Sequence, residues 1–229
     1  MKKPKLLAKD KILIIAAHPD DEILGCGGTI LKNKNHSDIN VLFLTNGVSA
    51  RSRNIKKINL RKKECIKLFK FLKIKKPIFL DFPDNQLDKI PLLKIVKKIE
   101  FYLKKIKPKT IFTHFENCLN IDHQIAYKAT ITACRPLQSN TVKKILSFEI
   151  LSSTEWAIFK KKSFQPNYYV NISEMINQKL KCIKYYKSEL KKYPHSRSLE
   201  ALKSLAKYRG VSSGFKYAEG FILVRSLKD

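Results

Sequence analysis

The stretch ILIIAAHPDDEILGCGG, residues 12–28, joins an apolar run to a cluster of ionisable side chains. Ile12–Ala17 has the uninterrupted, β-branched character of a strand that is buried on both faces. An imidazole and three carboxylates follow directly, in the segment His18–Glu22. Because carboxylates at such short spacing repel one another, the sequence predicts that a positive group lies at this strand end.

The composition is that of a soluble protein with one substantial core. The chain has 229 residues, of which 44% are hydrophobic and 29% are charged. This length is long for one domain and short for two. No Gly/Ser-rich linker or internal repeat divides the chain. We therefore predict a single domain over residues 1–229.

The unusual property of the composition is its net charge of +28. Only seven of the 47 basic residues are arginines, and the lysines are spread over the whole chain. Nucleic-acid binding proteins more often concentrate arginine and aromatic side chains on one element, so specific nucleic-acid binding is not expected. The positive field would instead attract anionic small molecules, such as phosphorylated or nucleotide-linked sugars, or an anionic membrane surface.

The cysteines and the N-terminal segment indicate the cellular compartment of the protein. Five cysteines lie far apart without a CxxC pair, which disfavours a structural zinc site or a disulfide framework. Reduced thiols are typical of the cytoplasm. The segment MKKPKLLAKDK lacks the apolar core of a signal peptide, and no apolar run is long enough to span a bilayer. We expect a soluble, unexported, cytoplasmic protein, and the sequence leaves homo-oligomerisation open.

Short β-branched runs alternate with longer amphipathic runs through the first two thirds of the chain. The predicted strands are Lys11–Ala17, Ile39–Thr45, Pro77–Phe82, Thr110–Thr113 and Lys144–Ile150. Between them, apolar residues recur at spacings of three and four, which indicates helices. This order predicts an α/β fold with a mostly parallel sheet and helices on both of its faces.

After Ile150 the alternation gives way to an irregular stretch. Beyond it we predict helices over Ser173–Lys192 and Arg197–Lys207 and a last strand over Gly220–Arg225. This C-terminal region is expected to complete the same domain on the side of the functional site.

The predicted topology indicates where that site lies. In open α/β sheets, ligands bind beyond the carboxyl ends of the strands, where the strand order reverses. His18–Glu22 follows the first strand, and His114–His123 follows the fourth. In a common doubly wound order these two strands are neighbours. Residues about a hundred positions apart would then meet in one site.

The two segments supply metal-ligand residue types. His18 and Asp21 are three apart at a strand-to-helix turn, from which both side chains can reach one ion. His123 begins a helix in the segment NIDHQ at 120–124. Two imidazoles and one carboxylate leave open positions, as a hydrolytic Zn²⁺ site requires, and they also suit Fe²⁺ or another divalent ion. Each segment alone also has a structural interpretation, because acidic residues complement a helix N-terminus.

Asp20 lies between two of these candidate ligands in the sequence. A carboxylate beside such a site can accept a proton from water whose pKa the metal has lowered. We therefore predict that Asp20 acts as the general base.

AHPDDEILGCGG at 17–28 and NIDHQ at 120–124 resemble the two metal motifs of the PIG-L/LmbE family of zinc-dependent N-deacetylases, in a bacterial branch. Weaker similarities extend over most of the chain. They are TNG at 45–47, Arg61 with Glu64, FPDNQL at 82–87, SSTEW at 152–156, PHSRS at 194–198 and AEGF at 218–221.

The resemblance implies a Rossmann-like fold and a hydrolytic activity. Family members remove an acyl group, usually acetyl, from the amine of a sugar in a glycoside, glycolipid or nucleotide-linked conjugate. By this resemblance His18, Asp21 and His123 are zinc ligands, and Asp20 is the base.

One departure concerns the proton donor. Many family members have a histidine three residues before the second metal ligand, where this chain has Asn120. An asparagine can steady an oxyanion but cannot act as a general acid. We favour Asp20 as the carrier of the proton to the departing amine, with His114 or His195 as alternatives. Asp122 is expected to orient a histidine or Asn120 from outside the set of ligands.

Four residues are candidates for substrate binding. Arg61 either contacts substrate or forms a local ion pair with Glu64, one helical turn away. Asp84 could bind sugar hydroxyls or simply form a turn. His195 and Arg197 are candidates only through the resemblance.

These observations predict a zinc-dependent hydrolase that removes an acetyl group from an N-acetylated amino sugar in a small, possibly anionic, conjugate. One alternative is an amidase that acts on a non-sugar conjugate. Another is a basic nucleic-acid-binding or glycan-binding protein with a vestigial metal site.

Overall fold

A computed structural model describes residues 10–48, 50, 54–138, 140–157 and 163–228. Its strands are β1 (Asp10–Ala16), β2 (Ser37–Thr45), β3 (Ile78–Phe82), β4 (Thr110–His114), β5 (Lys144–Phe148), β6 (Tyr168–Asn171) and β7 (Ala218–Ser226). Its α-helices are α1 (Asp21–Asn33), α2 (Ile55–Leu72), α3 (Leu92–Ile106), α4 (Ile121–Ala133), α5 (Ile176–Ile183) and α6 (Leu199–Val211).

The seven strands form one sheet in the order β3-β2-β1-β4-β5-β7-β6. The first five are parallel, and the last two run antiparallel to their neighbours. Strand order reverses between β1 and β4, which pair directly through Ile14 and Phe112. The predicted α/β fold, with its mostly parallel sheet, is confirmed.

The sheet separates two apolar cores. Alternate residues of a strand point to opposite faces, so Ile14 packs with one core and Ile15 with the other. The first core contains buried residues of α1, α2, α5 and α6, and the second contains buried residues of α3 and α4. Helices therefore cover both faces, as the strand pattern predicted.

The glycines after the ionisable cluster allow α1 to lie close to its neighbours. A Cβ atom on Gly28 would stand 2.5 Å from Cγ2 and 2.8 Å from Cβ of Ile172. A Cβ atom on Gly25 would lie 2.5 Å from the Phe148 ring. These distances are shorter than van der Waals contact, so the helix could not pack at this depth with larger residues.

The six predicted strands all form, with ends displaced by two residues at most. The short edge strand β6 was not predicted. It has only four residues, and the surrounding sequence shows no alternation of apolar and polar residues.

The predicted helix over Ser173–Lys192 is wrong in extent, because α5 covers only Ile176–Ile183. At its start, the Asn171 side chain accepts the Ser173 N–H at 2.9 Å, which forms a turn instead of a helix. After its end, the chain winds through irregular turns that bury the Tyr186 ring. The next predicted helix begins at Leu199, where the Ser198 hydroxyl caps it by accepting the Ala201 N–H.

None of the helices among the described residues is long and apolar enough to cross a membrane.

We predict that Gly28→Ala destabilises the protein by about 1–3 kcal/mol, because the added methyl group overpacks α1 against Ile172. The measurement is urea-induced unfolding. Gly27→Ala is the matched control, since the nearest atom to its added Cβ lies 3.2 Å away. Equal stability losses in the two variants would contradict the proposed packing role of Gly28.

Candidate active site

The candidate site lies where β1 and β4 end side by side. Residues 17–20 leave β1 and lead into α1, while residues 115–120 leave β4 and lead into α4. Because the two strands are parallel neighbours, both connections emerge at the same edge of the sheet. This edge is the switch point at which open α/β sheets bind ligands.

The structure brings His18, Asp21 and His123 together at this edge. His18 Nδ1 lies 3.1 Å from Asp21 Oδ2 and 3.2 Å from His123 Nε2. His123 Nε2 lies 3.5 Å from Asp21 Oδ2. All three side chains are buried, and their converging atoms form a group that could hold a metal ion.

Hydrogen bonds on the far side of His18 determine which of its nitrogens faces the group. His18 Nε2 lies 3.2 Å from Asp122 Oδ2 and 3.1 Å from Asp84 Oδ1. A neutral His18 therefore carries its proton on Nε2, and the Nδ1 lone pair faces Asp21. Two nitrogen lone pairs and a carboxylate oxygen at these distances fit a divalent cation of the zinc type.

The ionisation of the three residues agrees with this fit. Burial opposes the charged form of His123, but the Asp21 carboxylate and the Cys118 sulfur together raise the imidazole pKa to about 9. Burial would raise the pKa of Asp21, yet the neighbouring histidines hold it well below its usual range. In addition, Asp21 Oδ1 is buried without a hydrogen-bond partner among the described residues. The ionised Asp21 carboxylate therefore favours a positive charge between the three side chains.

His114 supports the cluster from behind. Its Nε2 accepts the Ala17 N–H at 2.8 Å, and its ring stacks on His123 with 3.9 Å between the centroids. Burial and the neighbouring His123 lower its pKa well below the usual value, so it stays neutral. Nε2 is an acceptor and the side chain has no exposed surface, which argues against His114 as the proton donor to the substrate.

Asp20 lies in a strained turn at the floor of a cavity of about 340 Å³. Its backbone has φ 139°, a conformation that residues other than glycine rarely adopt. The Glu22 carboxylate holds this turn by accepting the Asp20 N–H at 2.9 Å, and Tyr186 donates its hydroxyl to Glu22 at 2.6 Å.

Two arginines flank the Asp20 carboxylate. Arg197 Nη1 donates to Asp20 Oδ2 at 3.0 Å, and Arg61 Nη1 lies 3.8 Å from the same oxygen. Both guanidinium groups also bind Glu189, which lies between them. Burial raises the pKa of Asp20 and Arg197 lowers it, which together place it at about 6.

The remaining predicted residues surround this floor. Asn120 caps α4 by accepting the Asp122 N–H at 2.8 Å, so its Nδ2 group is the part left to donate to a ligand. Asp122 accepts the backbone N–H groups of Asn85 and Leu87 and contacts His18, which agrees with an orienting role. Asp84 lines the cavity beside His18.

The four predicted substrate-binding residues all line the cavity, and all four also contact other protein groups. Asp84 contacts His18 and accepts the Ala50 N–H. Arg61 donates to the Pro19 carbonyl and to Ser188 as well as to Glu189, and its contact with Glu64 is longer, at 3.7 Å. Arg197 binds Ser152 and Asp20. His195 lies at the cavity wall, 6.0 Å from Trp156 between ring centroids.

Four residues of the site were not predicted. They are Glu22, Tyr186, Glu189 and Cys118, whose sulfur lies 3.1 Å from His123 Nδ1. Glu22 was visible only as a third acidic residue in the first motif. Tyr186 and Glu189 lie in the stretch that was predicted as a continuous helix, so no local pattern distinguished them.

A family model described as PIG-L, GlcNAc-PI de-N-acetylase, matches residues 13–134 of this chain. The match includes both segments that form the His/Asp group. The chain belongs to the PIG-L family. The matched range ends before β5, so Glu189, His195 and Arg197 lie outside the part of the chain that carries the family match.

Similarity to individual proteins covers most of the chain, beyond the residues that the family model matches. The diacetylchitobiose deacetylase of Thermococcus kodakarensis is 28% identical, covering 93% of this chain and 83% of that protein. The probable N-acetyl-alpha-D-glucosaminyl L-malate deacetylase 2 of Bacillus cereus is 24% identical, covering 78% and 83%. The crystal structure of the conserved protein TT1542 from Thermus thermophilus superimposes with a TM-score of 0.75 at 25% identity, covering 95% and 96%.

We predict that His123→Ala abolishes stoichiometric zinc binding, because it removes one of the three converging donor atoms. The measurement is metal content by mass spectrometry after loading and dialysis. His36→Ala, which changes a histidine outside the site, in the connection between α1 and β2, should retain the metal. Full zinc occupancy in His123→Ala would rule out His123 as a ligand.

Proposed function

We propose that this protein is a zinc-dependent hydrolase that removes an acetyl group from the amide nitrogen of an N-acetylated amino sugar in a small conjugate. The observation that carries the proposal is the position of Asp20, which lines the same cavity as His18, a member of the group formed by His18, Asp21 and His123. Membership of the PIG-L family and the similarity to two N-acetyl sugar deacetylases support the same reaction.

Zinc held by His18, Asp21 and His123 would make water more acidic and would polarise the amide carbonyl of the substrate. The donor set supports this assignment, because two neutral imidazoles and one carboxylate are typical of hydrolytic zinc sites. Asp122 would keep His18 in the required tautomer by accepting a hydrogen bond from its Nε2–H group.

Asp20 would act on protons. As a carboxylate it would take a proton from the attacking water, and as a carboxylic acid it would return that proton to the nitrogen of the departing amine. A base for this step must be ionised near neutral pH although it is buried. The contact with Arg197 at 3.0 Å favours the ionised form and offsets part of the cost of burial.

The cavity walls would bind the substrate. The Asn120 Nδ2 group would donate to the carbonyl oxygen as negative charge develops there. Asp84 would accept hydrogen bonds from sugar hydroxyl groups, and His195 would accept or donate such bonds. Arg61 and Arg197, the two arginines among the candidate substrate-binding residues, would in addition hold Asp20 in place.

The relatives and the net charge support the proposed chemical class of the substrate. The names of both relatives describe deacetylases of N-acetylated amino sugars, and the net charge of +28 would favour an anionic conjugate. Five reduced cysteines suit a cytoplasmic enzyme.

We predict that Asp20→Asn retains one zinc ion per chain but lowers turnover by about 10²–10⁴-fold, because the amide cannot accept a proton. The measurement is acetate release from N,N′-diacetylchitobiose and from nucleotide-linked N-acetylglucosamine. Asp88→Asn, which changes an exposed aspartate, is the matched control. Unchanged turnover in Asp20→Asn would exclude Asp20 as the base.

We also expect that dialysis against a chelator abolishes acetate release and that one equivalent of zinc restores it. A panel of acetylated sugars and acetylated non-sugar amines then separates the proposed function from a general amidase. Activity that survives complete metal removal, or a panel cleaved only at non-sugar amides, would contradict the proposal. Salt-sensitive DNA binding without any acetate release would instead favour the basic binding protein.

A further inference from the structure

Cys118 lies directly behind one of the proposed metal ligands. It belongs to the connection between β4 and α4 and is only 1% exposed. Its sulfur lies 3.1 Å from His123 Nδ1, while the opposite nitrogen of that ring, Nε2, faces His18 and Asp21. The sulfur and the proposed metal position are therefore on opposite sides of one imidazole.

We propose that Cys118 is a positioning residue whose sulfur accepts the Nδ1–H of His123 and so presents the Nε2 lone pair to the metal. The inference rests on the proposed function, because it requires His123 to be a ligand. A neutral imidazole carries one N–H, and a hydrogen bond at one nitrogen determines which tautomer is present. Without an acceptor at Nδ1, a neutral His123 could place its proton on Nε2, where it would block the metal.

The neighbours of the sulfur favour its role as an acceptor. The Ser153 hydroxyl lies 2.9 Å from the sulfur and the Thr154 hydroxyl lies 3.3 Å from it. The Ser153 oxygen already accepts the Asn120 N–H, and the Thr154 oxygen accepts the Ile150 N–H. Each hydroxyl therefore has its own proton left to donate to the sulfur.

Two contacts together fix the orientation of the His123 ring. Stacking on His114, with an angle of 19° between the ring planes, determines the plane of the imidazole. The sulfur contact then determines its rotation within that plane. Ligating histidines usually direct their second N–H at a carboxylate, a carbonyl or water, and here a buried thiol takes that place.

The other cysteines differ from Cys118 in their surroundings. Cys26, Cys65, Cys134 and Cys182 are all buried and belong to the two apolar cores. Cys134 follows the last residue of α4, the helix that carries His123 at its start. It therefore provides a matched control for the loss of a buried sulfur next to the same helix.

The test compares zinc affinities of the full chain, measured by competition with a chromophoric chelator. Cys118→Ala should weaken zinc binding about 10–100-fold, which is the usual effect of removing the partner of a ligating histidine. Cys118→Asp should restore the affinity to within about 3-fold, since a carboxylate accepts the same N–H. Cys134→Ala should bind zinc as the parent does, although it also loses a buried side chain.

An independent measurement on the unchanged protein covers the case in which Cys118→Ala fails to fold. In ¹⁵N-histidine spectra of the zinc-loaded chain, the Nδ1 proton of His123 should be protected from exchange with water, because the buried sulfur holds it. Rapid exchange of that proton would overturn the proposal, as would parental zinc affinity in Cys118→Ala.

The result for His123→Ala separates this inference from the proposed function. If His123→Ala loses zinc while Cys118→Ala binds it normally, only the role of Cys118 is wrong. If His123→Ala retains zinc, the metal site itself is wrong and the role of Cys118 fails with it.

Discussion

The arrangement of the site depends on one buried anion. Asp21 is fully buried, and three imidazoles lie within 3.5 Å of its Oδ2 atom. A buried carboxylate is costly unless positive charge or hydrogen bonds compensate it. The parallel pairing of β1 with β4 supplies part of that compensation, because it brings the His123 imidazole to the carboxyl end of the strand that precedes Asp21. Sheet topology and local charge balance therefore support each other.

A second network surrounds Asp20 and differs in character from the first. It uses permanent cations, the guanidinium groups of Arg61 and Arg197, with Glu189 between them. The group of His18, Asp21 and His123 could hold an added cation, whereas the network around Asp20 already contains two guanidinium cations. This contrast gives neighbouring aspartates different tasks in the proposed reaction. Asp21 would stay ionised beside the proposed metal, while Asp20, with a pKa of about 6, would both take and return a proton.

Residues in contiguous motifs at strand ends could be predicted from the sequence. The predicted neighbouring positions of the first and fourth strands indicated that His18, Asp21 and His123 meet. The structure places them within one group. Their roles remain predictions that metal analysis must test. Residues that reach the site only through tertiary packing could not be found in this way. Glu189 lies in a lysine-rich stretch, and its contacts with both arginines depend on how the chain leaves α5. Cys118 stands only five positions before His123, but no sequence pattern indicated that the two side chains are in contact.

The separation of the two networks along the chain has a consequence for biosynthesis. The His/Asp group is complete once α4 has been made, whereas Glu189 and Arg197 are added only with the C-terminal region, after β5, β6 and α5. During translation, the residues of the His/Asp group therefore leave the ribosome before Glu189 and Arg197 do. A chain that ends after α4 would thus carry the proposed metal ligands but lack Arg197, which donates to Asp20.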